Sequence, residues 1–138
     1  MRLTLLLADA AQEAMGKVHS LGLGWNTTGT PTPPMAVVVL LDVGWDETNR
    51  DIELLLELVD ADGHPVTVPG PFGDQPLNVT AQTQAGRPPG LPAGSEVRIP
   101  LTVNIGPGLP LVAGQRYEWR ATLDGRTNPD WSQSFFVR

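Results

Sequence analysis

The stretch LVAGQRYEW, Leu111 to Trp119, constrains the fold of this chain more than any other. Leu111, Gly114 and Tyr117 have the spacing L-x-x-G-x-x-Y. In immunoglobulin-like and fibronectin-like sandwiches this spacing builds a tyrosine corner. The glycine turns the chain between sheets, and the tyrosine hydroxyl bonds to a backbone group just upstream. A buried hydroxyl must find a partner, so such a residue pins the corner. Tyr117 is the sole tyrosine, and its role on this reading is structural.

Hydrophobic alternation supports the same class. Val97, Ile99, Leu101, Val103 and Ile105 alternate with Arg98, Pro100, Thr102 and Asn104, the pattern of a half-buried strand. Pro100 has no N–H to donate, which places that strand at a sheet edge or turns position 100 away from the ladder. Tyr117, Trp119, Ala121 and Leu123 alternate in the same way, as do Leu77, Val79 and Ala81. Met35 to Val43 is apolar on both faces, as in a central strand. Leu3, Leu5 and Leu7 read as the inward face of a first strand, Lys17–Trp25 as a strand softened by two glycines, and Trp131–Val137 as the last strand.

Asp51–Val59 fits a helical stripe through Ile52, Leu55, Leu56 and Val59, and a strand through Ile52, Leu54, Leu56 and Leu58. The turn signal DADGHP follows at once and leads into Val66–Val68, so a strand and hairpin are expected. Loops are expected at 27–34, 69–76, 86–94 and 106–110. The sum is an all-β chain: an antiparallel immunoglobulin-like β-sandwich of about eight or nine strands. Its 138 residues suit a single domain, 1–138, with one core.

Charge and composition remove several functions. The net charge is −6 and the nine basic residues are scattered, so neither nucleic acid nor an anionic membrane is an expected partner. There is no cysteine, which excludes disulfides, thiolate nucleophiles and cysteine-based zinc sites. No apolar run approaches the ~20 residues of a membrane-spanning helix. The start, MRLTLLLADA, is too short in its apolar part for a signal peptide, which needs roughly 7–15 residues there. A cytoplasmic location is expected.

The segments LLLADAAQEA, LGLGW, WDETNR, LELVDADGHPV, GRPPGLPAG, VNIGP and AGQRYEWRATLDG together resemble a family of small uncharacterised actinobacterial proteins. The resemblance runs along nearly the whole chain. It implies a bacterial, compact β domain of unknown function, and brings no activity and no catalytic residues.

Candidate sites are sparse. GWDETNRD, Gly44 to Asp51, offers Asp46, Glu47 and Asp51 to a hard cation. It lacks the loop pattern of a calcium site, and reads better as a solvated hairpin connection with Trp45 at its base and Asn49 tolerating a positive φ. DADG at Asp60 begins like a calcium loop, but its twelfth position is Pro71. No metal or cofactor is expected. Only His19 and His64 are available as imidazole bases, and no serine has a nucleophile-elbow context. Glu53 and Glu57 lie roughly 13 Å apart along one strand face, which is the pattern of a charged outer face. The chain is therefore expected not to be an enzyme.

Trp25, Trp45 and Trp131 fall near strand ends. Exposed together they would suit stacking on sugars or anchoring a partner. The expected function is a non-enzymatic interaction or structural module acting through protein–protein contacts. The alternative is a small-ligand module, carbohydrate included, built on those tryptophans. Phe135, Phe136 and Val137 put apolar groups on both faces of the last strand, so Phe136 is expected at a contact with a protein partner, most simply a homodimer.

Overall fold

The computed structural model describes residues 1–138. It contains twelve strands, one short 3-10 turn and no α-helix. In chain order the strands are β1 (Arg2–Ala8), β2 (Ala10–Ala14), β3 (Lys17–Leu21), β4 (Thr27–Thr28), β5 (Met35–Val43) and β6 (Asp51–Asp60). They continue with β7 (Thr67–Gly70), β8 (Gly73–Pro76), β9 (Asn78–Gln84), β10 (Val97–Ile105), β11 (Arg116–Leu123) and β12 (Arg126–Val137).

One antiparallel sheet has the order β1-β5-β10. A second has the order β4-β12-β11-β6-β9; it is antiparallel except where β4 joins β12, and it curls into a half-barrel. Two hairpins, β2–β3 and β7–β8, complete the chain. The apolar residues of each alternating strand point between the two larger sheets. Leu3, Leu5 and Leu7 meet Val37, Val39 and Leu41 from one side, and Ile52, Leu54, Leu56, Leu58, Trp119, Ala121, Leu123 and Phe135 from the other. Trp119 is the largest fully buried side chain.

The double-sided apolar run of β5 has a specific cause. Its Val37, Val39 and Leu41 face the main core, while Ala36 and Val38 are buried on the opposite face in a small cluster with Ala8 and Ala11. The β2–β3 hairpin supplies that cover. Asn104 docks it, donating from Nδ2 to the Ala11 carbonyl (2.8 Å) and accepting the Ala11 N–H on Oδ1 (3.2 Å).

At the corner between β10 and β11, the Val112 N–H donates to the Tyr117 hydroxyl at 2.9 Å. Gly114 has φ +86, a conformation open to glycine and costly for a Cβ-bearing residue, and its N–H donates to the Val137 carbonyl at 2.7 Å. Leu111 is buried beneath this turn.

Several expectations need correction. The strand expected over Lys17–Trp25 stops at Leu21, because Gly22 and Gly24 adopt positive φ and turn the chain. The Asp9 carboxylate occupies the space that a Cβ on Gly22 would take. GWDETNRD is not a hairpin connection: β5 and β6 lie in different sheets, so it carries the chain across the core. Its first half is the 3-10 turn Trp45–Glu47, and Asn49 has φ +61. After β6 the turn returns the chain for one bridge, Val59 to Pro65. The next strand then leaves to pair with β8, so the segment expected to be a loop at 69–76 holds the end of β7, the hairpin turn and all of β8. The last strand begins at Arg126, and a bulge between Arg120 and Thr122 of β11 absorbs the extra residues of β12, Pro129 among them.

Candidate functional site

The tryptophans do not share a surface. Trp25 packs edge-on against Phe135, centroids 5.6 Å apart, at the end where β11 begins. Trp45 is covered by Arg87 from the loop after β9, whose guanidinium lies 3.9 Å from the ring centroid. Arg87 also donates to the Trp45 carbonyl and, at 2.7 Å, to the Thr48 hydroxyl. This clamp joins residues some forty positions apart, so no local spacing announces it. Trp131 is half-buried and borders two depressions. One, about 460 Å³, lies on the outer side of β11 and β12 with Glu57, Glu118, Arg120 and Asn128 in its lining. The other, about 140 Å³, lies at the strand ends beside Glu47, Arg50 and Asp124.

The three groups whose titration is displaced, Asp42, Glu47 and Arg98, are held in pairs. Asp42, on the outer face of β5, is buried and accepts from Arg98 at 2.7 and 2.9 Å and from Arg2 at 3.1 Å. Arg2, Asp42 and Arg98 lie opposite one another across β1, β5 and β10. The hydrogen bonds from Arg98 hold the Asp42 carboxyl below its usual range, against the opposing effect of burial. Glu47 is lowered as well, chiefly by a hydrogen bond from the Met1 amine at 3.0 Å. Asp60, Asp62 and His64 cluster within 4.8 Å. Asp60 Oδ1 accepts the N–H groups of Asp62 and His64, both at 2.9 Å, which is the geometry of a closed turn. His19 and His64 lie exposed on separate hairpins.

The backbone offers a clearer feature. The two larger sheets end in four edges, and three of them are guarded. β10 carries Arg98 and Pro100 and is docked by the β2–β3 hairpin. β1 is guarded at its two ends only, by Arg2 at its start and at Leu7, whose carbonyl accepts the Gly24 N–H at 2.7 Å. On the far side of β12, β4 pairs with Phe136 and Val137, while Pro129 and Asp130 interrupt the rest. Phe136 is half-buried there, and its N–H donates to the Asn26 carbonyl at 2.9 Å. These are the devices by which sheet edges avoid unwanted pairing.

The fourth edge, β9, has none of them. Its sequence NVTAQTQ holds no charge and no proline. Two hydrogen bonds fix its phase against β6: Leu58 N–H to the Leu77 carbonyl (3.3 Å) and Ala85 N–H to the Arg50 carbonyl (3.4 Å). Antiparallel bonding alternates, so odd-numbered residues bond to β6. Asn78, Thr80, Gln82 and Gln84 turn their N–H and C=O groups to the open side, where they meet no partner within the chain. Val79, Ala81 and Thr83 remain half-buried on the core side. Sequence alternation identified this segment as a strand, but alternation alone does not distinguish an edge strand from a central one.

Among known families, one described as a family of unknown function (DUF6941) matches residues 3–132. No curated protein and no solved structure matches the sequence. No helix is long and apolar enough to cross a membrane.

Proposed function

The chain belongs to the family of unknown function DUF6941, and for it we propose a non-enzymatic role as a protein-interaction module that works through an open sheet edge. The observation that carries this reading is β9, a seven-residue strand without charge or proline, with four residues presenting unpaired backbone groups. The three groups with displaced pKa, Asp42, Glu47 and Arg98, are each bound to an opposite charge, so their displacement has a structural cause and proposes no reaction. The expected contact at Phe136 moves accordingly, from the guarded β12 edge to β9.

The proposal includes an immunoglobulin-like sandwich as scaffold. In its favour, β1, β5 and β10 follow the A-B-E order of that fold, and β9, β6, β11 and β12 its C′-C-F-G order. The parallel pairing of β4 with β12 takes the place of a split first strand.

A photo-reactive residue at Thr80, introduced in the native host, tests the reading. Irradiation is expected to yield covalent protein adducts from Thr80 and none from Glu13, an exposed position on β2. Adducts at Glu13 alone, or at neither position, contradict it.

A second reading, a saccharide-binding module, is favoured by the 460 Å³ groove beside Trp131, where one indole, two carboxylates, a guanidinium and an amide converge. Only one of the three tryptophans borders it, Trp131, which lies within β12 and not at its end, and this makes it the weaker reading.

A further inference from the structure

We infer that β9 pairs antiparallel with β9 of a second copy of this chain, centred on Ala81, so that two five-stranded sheets become one. This rests on the sheet-edge reading above and adds the partner's identity and register.

The register follows from geometry and side-chain chemistry. About a two-fold axis midway between the two Ala81 residues, Asn78 faces Gln84 of the second copy and Thr80 faces its Gln82. All four belong to the set whose N–H and C=O groups are open. Each such pair exchanges two hydrogen bonds, so every outward backbone group of both β9 strands is satisfied. Side chains match as well. A two-fold centred on a residue brings together positions of the same face. On the core side Val79 meets Thr83 and Ala81 meets Ala81; on the outer side Thr80 meets Gln82 and Asn78 meets Gln84, hydroxyl and amides in reach of one another. The centre at Ala81 is the one that uses all of β9.

Charge permits the approach. The acids on the outer face of the neighbouring strand, Asp51, Glu53 and Glu57, sit on β6 opposite Gln84, Gln82 and Asn78. In the paired sheet the closest acids across the seam are Glu57 and Asp51 of the second copy, in line and three strand spacings apart, about 14 Å, beyond the roughly 8 Å over which salt screens charges at physiological strength. Each copy carries a net charge of −6, so added salt strengthens the association. A foreign peptide strand would take the same backbone bonds, but this register gives every β9 residue a partner of compatible chemistry without one.

Sedimentation equilibrium of the purified chain, from low to high micromolar concentration, is expected to give a dimer. Gln82→Pro removes an outward N–H while leaving the bonds to β6, a placement an edge strand tolerates; it is expected to sediment as a folded monomer. Thr80→Lys with Gln82→Lys sets like charges opposite one another and is expected to do the same. Under mild oxidation Ala81→Cys is expected to form disulfide-linked dimers, because facing residues of a non-hydrogen-bonded pair lie about 4.5 Å apart at Cα. Ser134→Cys on β12 is expected to stay unlinked. A wild-type monomer throughout, a dimer that survives both β9 variants, or linkage at Ser134 in place of Ala81 overturns the inference. If the wild type is monomeric while Thr80 still captures a different protein in the host, self-pairing falls and the sheet-edge reading stands. If Thr80 captures nothing as well, both fall.

Discussion

Replacing Trp119 by alanine is expected to cost about 3–5 kcal/mol, a large share of the stability of a domain that typically has only about 5–15 kcal/mol. Trp119 has no exposed surface and sits mid-strand in β11, between Leu58 of β6 and Gln133 of β12 in the sheet and facing the core between the two sheets. Truncation leaves a cavity that two sheets, each held by its own ladder, can close only in part. Its indole N–H reaches no protein acceptor, a desolvation cost that most buried donors avoid. Trp119→Phe keeps much of the volume and removes that donor, so it is expected to be far milder, under about 1.5 kcal/mol. Urea unfolding followed by far-ultraviolet circular dichroism distinguishes the two. Equal losses would mean that packing around the ring is not what holds the sheets together.

The second large effect is electrostatic. Asp42→Asn is expected to destabilise the chain at neutral pH by about 1–3 kcal/mol, through loss of charge-assisted bonds to Arg98 and Arg2. Both arginines are more than half exposed, so water screens part of the attraction and the lower half of that range is favoured. The pH dependence follows from the direction of the shift. The folded Asp42 carboxyl titrates below its ordinary value, so its contribution is complete above the unfolded pKa of about 4. It is lost as pH falls through the lower folded value. The gap between wild type and Asp42→Asn is therefore expected to stay constant from neutral pH to about pH 4 and to close in stronger acid. A gap that persists unchanged in strong acid would assign the loss to shape and not to charge.

Long alternating segments were legible because burial on one face imposes a period of two. β10 and the core of β11 needed nothing more, and the choice of strand over helix for Asp51–Val59 agrees with β6. What was hidden has physical reasons. β4, β7 and β8 span two to four residues, too short to display a period. β2, AAQEA, consists of good helix formers held extended by β3 and by Asn104, so tertiary contacts override local preference. The apolar outer row of β5 looked like central burial, and is, but the layer on that side is a hairpin.

The candidate site was legible only in pieces. Trp131 was visible as an aromatic of the last strand, although it lies in the middle of β12 and not at its end, whereas the Arg87 cover on Trp45 depends on a contact between distant segments. The open edge was not visible at all. An uncharged alternating strand has one sequence signature whether neighbours flank it or not, and only the order β11-β6-β9 leaves one side of it bare.

The most direct measurement is amide hydrogen exchange along β9, followed by nuclear magnetic resonance at two protein concentrations. At high dilution the amides of Asn78, Thr80, Gln82 and Gln84 should exchange fast, while those of Val79, Ala81 and Thr83, bonded to β6, stay protected. At high concentration the four even-numbered amides should become protected too, with β10 and β12 unchanged. If the four exchange at the same rate at both concentrations, or are protected even at high dilution, β9 is not the edge through which this chain finds its partner.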